Sequence, residues 1–416
     1  MSLSAAETQL CDDIRARERD LLEDLRLHVG LPTGGNNASA LDETRRLLTD
    51  RLRALGASIE IVPGTPKPDW LRGADGVPHV PPVAVCRHVS RGPRDRRTPI
   101  VLSGHLDTVH DPHGSFRALT IAPDGKTATG PGCVDMKGGL VIAVAALEAL
   151  ARAGIESNWT FVLNSDEETG SYHSESALRS AALEAHAMAG SESGPTRAVG
   201  LVLEPALPDG SLVVERLGSG QFMIEARGRS AHVGRDFESG ISAVTALARA
   251  IVAVAALPDP KRGKIINIGP VQGGNATNVV PDHARAWGNV RYPDRAIMQE
   301  LEDALRRIER ESETRTGSLK VHTSFNRPAK PLTPEVERLA LAARGAAEDL
   351  AQKLPFGKTG GVCDGNILQD AGLPTIDTLG VRGGGLHTPQ EWIDLSSLVE
   401  RCQLLAVLIA RLSHAT

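Results

Sequence analysis

Three runs of β-branched and aromatic residues end directly in acids or a histidine, and nothing else in the chain restricts its possible folds as much. Pro99-Ile100-Val101-Leu102 leads into Ser103-Gly104-His105-Leu106-Asp107-Thr108-Val109. Trp159-Thr160-Phe161-Val162-Leu163 leads into Asn164-Ser165-Asp166-Glu167-Glu168-Thr169-Gly170-Ser171, and Val199-Gly200-Leu201-Val202-Leu203 into Glu204-Pro205. Uninterrupted apolar runs of this length read as buried strands. In open α/β sheets, ligands bind beyond the carboxyl ends of the strands, which is where these acids fall. His105 and Asp107 are two apart and share one face of an extended chain. There an imidazole suits zinc, and a neighbouring carboxylate can fix its tautomer.

The chain has 416 residues, which exceeds one ordinary core and implies two or three domains. Aromatic residues make up only 3 % while there are 42 glycines, a composition that favours helices packed on a parallel sheet and argues against base-stacking surfaces. A net charge of −5 offers no basic footprint for nucleic acid or an anionic membrane. The five cysteines (Cys11, Cys86, Cys133, Cys363, Cys402) are scattered and never form a Cys-x-x-Cys pair. That is the usage of a reducing compartment. No signal peptide is recognisable at Met1-Ser2-Leu3-Ser4-Ala5-Ala6-Glu7, and no stretch suits a membrane span. A cytoplasmic location is the expectation.

Helical spacing predicts one amphipathic helix over 4–28, a second over 40–55 and a third from Gly139 to Arg152. The Pro/Gly-rich segment from Pro63 to Pro82 reads as irregular. From about 217 the style changes. Strands over 221–226, 264–271, 284–291 and 319–325 alternate with helices over 239–256 and 295–313, the pattern of a small split βαβ sandwich inserted at 217–329. The first domain, 1–216, resumes at 330–416 with helix 334–350, a glycine-rich loop from Gly357, a strand over 374–379 and a final helix over 395–412. The fold class is therefore α/β, a mostly parallel sheet flanked by helices, with an inserted α+β domain.

Each candidate residue also has a plain structural reading. Asp135, in Gly132-Cys133-Val134-Asp135-Met136-Lys137-Gly138-Gly139, could cap the helix that follows. Asp166-Glu167-Glu168 could be a solvated turn, although three adjacent acids disfavour ionisation unless a cation sits among them. His387, after three glycines, could be an ordinary loop residue, and His110 and His113 read as surface residues.

Taken in order, Gly104-His105-Leu106-Asp107-Thr108-Val109, the Asp135 motif, Asp166-Glu167-Glu168-Thr169-Gly170-Ser171, Leu203-Glu204-Pro205, Arg229-Ser230-Ala231-His232-Val233-Gly234 and His387-Thr388-Pro389-Gln390-Glu391 resemble the aminoacylase/glutamate carboxypeptidase family of co-catalytic dizinc metallopeptidases. The resemblance implies two Zn2+ per chain, with Co2+ or Mn2+ as possible substitutes. His105 and Glu204 would bind one ion, Glu168 and His387 the other, and Asp135 both, with a cis peptide bond after Asp135. Asp107 would orient His105, and Glu167 would be the general base on the water between the metals. Two zinc ions bring four positive charges and Asp135, Glu168 and Glu204 return three, a surplus suited to two-metal hydrolysis.

The inserted domain is similar to that family's lid and dimerisation domain, which implies a homodimer in which His232 reaches the partner's site. Asn278, Arg291 and Arg327 resemble substrate-binding positions, and a guanidinium fork suits a substrate carboxylate. The plain reading of Arg291 is a surface salt bridge. The family's usual aromatic residue soon after His-x-Asp-Thr-Val is replaced by His110-Asp111-Pro112-His113-Gly114, and Cys363 stands where Ser or Thr is common. The implied function is cleavage of an amide or peptide bond next to a free carboxylate in a small peptide or N-acyl amino acid, glutamate carboxypeptidase-like. An N-acyl amino-acid deacylase or a dipeptidase is the alternative. A metal-binding homologue without catalysis is the contrasting reading, and the presence of Glu167 with all five ligand positions speaks for the enzyme.

Overall fold

The computed structural model describes residues 2–35, 37–71, 79–90, 97–190, 197–312 and 317–414. Its centre is a six-stranded sheet in the spatial order Ser58–Val62, Val83–His88, Asn158–Asn164, Pro99–His105, Val199–Val202, Thr375–Ile376. The first two pairings are antiparallel, and the other three are parallel. Side chains alternate between two packed faces, as the two-residue period of a strand requires. Ala84, Cys86, Ile100, Leu102, Phe161 and Leu163 face one hydrophobic cluster. Val83, Val85, Val101, Val162 and Val202 face another, closed by the helices Glu175–Met188 and Asp364–Asp370. Both faces are covered, so the runs carry no polar alternation.

The helix Lys137–Arg152 is buried along nearly its whole length between the sheet and Ser396–His414. It begins two residues earlier than the periodicity predicts. Met136, not Asp135, holds its N-cap position, and no side chain caps it, so the capping reading of Asp135 fails. The glycine pair that starts it is needed for close approach. A Cβ on Gly139 would lie 2.2 Å from the Leu203 carbonyl oxygen, and one on Gly138 would lie 2.6 Å from Val381. The helix start is thereby pressed against the strand end that carries Glu204.

At the N-terminus the single helix expected over 4–28 is two helices, Ala5–Ala16 and Glu18–Val29, parted at Arg17. Leu10, Ile14, Leu21 and Leu25 are all buried and keep one helical phase through the break, so the pattern carries no trace of it. The glycine-rich loop expected from Gly357 begins instead as a strand, Phe356–Thr359, lying parallel to Leu212–Arg216, and is irregular only over 360–363. The irregular segment over 63–82 is described as far as Leu71 and again from His79, and the part between lies outside the described residues.

Residues 218–327 build a second sheet, wholly antiparallel, in the order Ile265–Gly273, His283–Tyr292, Gly218–Arg227, Ser318–Arg327. The helices Ala243–Ala255 and Arg295–Ser312 cover one face around Phe222, Ile224, Leu247, Leu301 and Leu305, a cluster separate from the other two. The residue expected to end the second helix, Glu313, lies outside the described residues. The two chain crossings between the sheets bond to each other: the Arg216 N–H donates to the Lys330 carbonyl at 2.9 Å, and the reverse bond is 3.0 Å. The sheet's other face meets the central body, where Trp287 Nε1 donates to the Trp70 carbonyl at 2.8 Å and Asn326 Nδ2 to that of Gly170 at 2.6 Å. No helix among the described residues is long and apolar enough to cross a membrane.

Candidate metal centre

The carboxyl ends of the three parallel strands deliver the predicted residues to one place. His105 is the last residue of its strand, Glu167 and Glu168 form a 3-10 turn after theirs, and Glu204 follows Val199–Val202. His105, Asp135 and Glu168 bring ligand atoms within 4.8 Å of one another, and so do His105, Glu167 and Glu204. His105 Nε2 lies 3.2 Å from Asp135 Oδ1. His387 Nε2 lies 3.5 Å from Asp135 Oδ2 and 3.3 Å from Glu168 Oε2. Asp135 therefore stands between the two histidines, and the Asp135–Met136 peptide bond is cis.

Asp107 acts on both sides of this cluster. Its backbone carbonyl is 2.9 Å from His105 Nδ1, with its carboxylate at 3.5 Å. The carboxylate accepts the backbone N–H groups of Glu167 and Glu168 at 3.3 and 3.0 Å, tying the acidic turn to the His105 strand. The tautomer contact expected of its side chain is thus made first by its main chain.

The electrostatics are those of an acidic cluster short of cations. Burial pushes the Glu167 carboxyl up to about 7, and Asp364 and Glu168 add to the shift while Arg327 and His105 oppose it. Burial, with Glu167 beside it, also raises Glu204 far above the carboxylate range, and Glu204 Oε1 is buried without a hydrogen-bond donor. Burial works against Asp135 as well, but His105 and His387 outweigh it and hold the carboxyl below its usual range. His387 is pushed up to about 10 by Asp135 and Glu168. An orphaned buried carboxylate oxygen, two imidazoles and further acids form a donor set that fits divalent cations.

Of the predicted substrate positions, Arg327 and Arg291 lie beside the cluster. Arg327 is 6 % exposed, with Nη2 2.8 Å from Glu167 Oε1, 2.8 Å from the Glu167 carbonyl and 2.6 Å from Ser171 Oγ. It is a buried partner of Glu167 rather than a free fork. Arg291 is half-buried and pairs across the sheet with Ser219, which also faces Arg327. Nη1 of Arg291 donates to Ser219 Oγ, Asn289 Oδ1 and the Val290 carbonyl, all neutral acceptors, so its reading as a surface salt bridge loses support. His232 and Asn278 sit elsewhere. They share one exposed edge of the insert, where the Val233 N–H donates to the Asn278 carbonyl at 3.0 Å and His232 Nδ1 accepts from the Gly234 N–H. Neither lines the cavity at the acidic cluster.

Sequence reasoning gave no role to Glu391, Asp364 or His110. Glu391 is buried and accepts the N–H groups of Gly132, Val134 and Asp135 at 2.8, 2.9 and 3.0 Å. His110, expected at the surface, is largely buried instead, with Nε2 2.6 Å from Glu391 Oε2. One carboxylate thereby clamps the loops that carry Asp135 and His387. Asp364 accepts from Asn164 Nδ2 at 2.5 Å and Ser171 Oγ at 2.6 Å, behind Arg327. The only signal for Glu391 was its place four residues after His387, and a loop acid at that distance has no periodic meaning.

The chain's residues 101–411 match the model of peptidase family M20/M25/M40. Carboxypeptidase G2 of Pseudomonas sp. (strain RS-16) is 26 % identical over 317 residues, covering 74 % of this chain and 73 % of that protein. A succinyl-diaminopimelate desuccinylase of Methylorubrum extorquens (strain PA1) is 30 % identical over 383 residues, covering 84 % of this chain and 89 % of its own length. Among solved structures, a dinuclear metal binding peptidase of the M20 family from Bacillus subtilis superposes with a TM-score of 0.63 at 17 % identity, covering 97 % of this chain and all of that one. With the acidic cluster at the strand ends, these likenesses lead to one conclusion: the chain belongs to peptidase family M20/M25/M40 and is a metal-dependent peptidase or amidohydrolase.

Proposed function

We propose that this enzyme cleaves an amide or peptide bond next to a free carboxylate, in the manner of a glutamate carboxypeptidase. The observation that carries the reading is Arg291, a half-buried guanidinium with only neutral acceptors, set beside the Arg327–Glu167 pair at the edge of the acidic cluster. A guanidinium in that position is suited to a bidentate carboxylate. N-acyl amino acids and dipeptides meet the same requirement and remain the alternative substrates.

In this reading His105 and Glu204 would hold one divalent cation, Glu168 and His387 the other, with Asp135 shared, and zinc is the expected metal. A bound pair would supply Lewis acidity to the scissile carbonyl and lower the pKa of a bound water. Glu167 is assigned as the base, although its carboxylate also lies within ligand reach of His105 and Glu204, because Arg327 already holds it. A carboxyl raised to about 7 is matched to taking a proton from water and handing it to the leaving nitrogen. Asp107 keeps the Glu167 turn in register with His105.

His232 can take part only if it is brought over an acidic cluster, and a second copy of the chain is the proposed source. Supporting this, the strand Ile265–Gly273 is a sheet edge exposing Ile265 and Val271, and the adjacent helix Ala243–Ala255 exposes Val244 and Val252. An unpaired apolar edge is a template for symmetric pairing.

A hydrolysis screen of N-acyl-glutamates, folate-type glutamates and dipeptides with the zinc-loaded protein tests the substrate class. Turnover of substrates lacking the carboxylate at equal rate would sink it. Mixing an inactive His232→Ala chain with an inactive Glu167→Gln chain should restore partial activity through one intact site. No recovery despite subunit exchange would rule out the shared site.

A further inference from the structure

A cavity of about 400 Å3 opens beside the acidic cluster, and neither Arg291 nor Arg327 lines it. Glu167 stands between the cavity and Arg327, so a substrate whose carboxylate meets the arginines places its other half here. Ala206, Leu207, Pro208, Val362 and Leu386 make the apolar part of the wall, to which Thr359 and Thr378 add hydroxyls. Among the described lining residues, the one cationic side chain apart from His387 is Arg216.

The charge of that arginine is answered within the chain, and three of its five N–H groups are spent on internal partners. Its Nε and Nη2 donate to the two oxygens of Asp377 at 3.0 and 2.8 Å, and Nη1 donates to the Gly361 carbonyl at 3.1 Å. Lys330 Nζ lies 3.2 Å from the same carboxylate, and Lys330 and Asp377 have no exposed surface. Burial works against Asp377's ionisation, but the two cations outweigh it and hold the carboxyl below its usual range. The backbone bonds between Arg216 and Lys330 fix the pair at the chain crossing. A guanidinium held on three sides cannot turn to meet an anion.

We propose that the cavity receives the acyl side of the substrate and selects neutral, apolar groups of branched aliphatic or phenyl size, and that Asp377 is the residue that withholds Arg216 from an anionic acyl group. The proposal rests on the preceding assignment of the metal centre and names the substrate's other half. An acyl carboxylate entering here would lose its water among largely apolar walls and carboxylates, where the charge of Arg216 is already answered by Asp377.

The test uses probes that need no leaving group. Isovaleryl hydroxamate and succinyl monohydroxamate are titrated calorimetrically into the zinc-loaded protein. The neutral probe should bind at least about tenfold tighter, the least cost of an unmatched buried charge. Equal or tighter binding of the succinyl probe would overturn the proposal. In Asp377→Asn, which frees Arg216, the gap should narrow by about tenfold or more. A folded variant with an unchanged gap would remove Asp377 from the account. If that variant fails to fold, the wild-type comparison still decides the pocket's preference. Hydrolysis of N-isovaleryl-glutamate is measured alongside. Its failure with the hydroxamate preference intact would condemn the carboxylate-side reading and leave the pocket assignment standing.

Discussion

Two clusters of buried charge meet near one cavity, the second touching it through Arg216 alone, and they are balanced in opposite ways. Around Asp377, one carboxylate meets two cations, Arg216 and Lys330, and the set is complete within the chain. Around Asp135, the acids Glu167, Glu168 and Glu204 gather, and among the described residues His105, His387 and Arg327 are the cations in contact with them, while Glu204 keeps an orphaned oxygen. A balanced buried cluster holds the chain crossings together. An unbalanced one is tolerable only if charge arrives from outside, which is the physical content of a metal site. A buried aspartate thus serves structure in one place and, in the proposed reading, metal binding in the other.

The largest effect should come from the unbalanced side. Glu167→Gln is expected to keep the fold and the bound ions and to lower kcat by about 10²–10⁴. Wild-type turnover in a variant that elemental analysis shows to be fully loaded would put the proton acceptor elsewhere.

Next comes the direct contrast. Asp377→Ala leaves two buried cations unpaired and should cost about 3–5 kcal/mol in chemical denaturation. Glu204→Gln removes a buried carboxylate that lacks a donor, so the ion-free protein should lose little stability or gain some while its metal binding collapses. Equal destabilisation by both would mean that the distinction between the clusters is false.

A smaller effect is expected at Glu391, whose carboxylate is spent on three backbone N–H groups and His110. Glu391→Gln should weaken metal affinity by about 10–100-fold in chelator competition, with the fold retained, because the loops of Asp135 and His387 lose their common clamp. Unchanged affinity would reduce Glu391 to a packing residue.

The smallest effect is a pH dependence confined to the ion-free protein. Glu167 moves from 4.5 to about 7 on folding, so the folded state holds an extra proton between these values. Its stability should therefore rise as pH falls from about 7 toward 4.5. His387, raised from 6.5 to about 10, acts in the same direction, its contribution full below 6.5 and gone above 10. Glu167 alone predicts a loss of about 2 kcal/mol in stability from pH 5.5 to 7.5, and His387, more than half exposed and screened by solvent, adds less than its shift implies. With ions bound the slope should reverse, since binding requires deprotonated ligands. Thermal unfolding with and without zinc at the two pH values checks the sign.

Four members of the acidic cluster could be placed from the sequence because they follow the ends of apolar runs, and a run's end is a local property of the chain. His105, Glu167, Glu168 and Glu204 needed only the strand pattern to be placed together. Glu391 and Asp364 were not legible, because their partners are backbone N–H groups and hydroxyls that carry no sequence signature. The break at Arg17 was hidden for a related reason, since burial on both sides of it keeps one phase.

By itself, the sequence determined the layered α/β body, the inserted antiparallel sheet and the order of the acids and histidines that gather at the strand ends, since strand periods and strand ends depend on near neighbours in the chain. Only the tertiary structure decided which charges cancel. Arg216 meets Asp377 across 161 residues, and Arg327 meets Glu167 across 160. Whether a buried charge is satisfied or left wanting is a sum over everything packed around it, and no segment of the chain contains that sum.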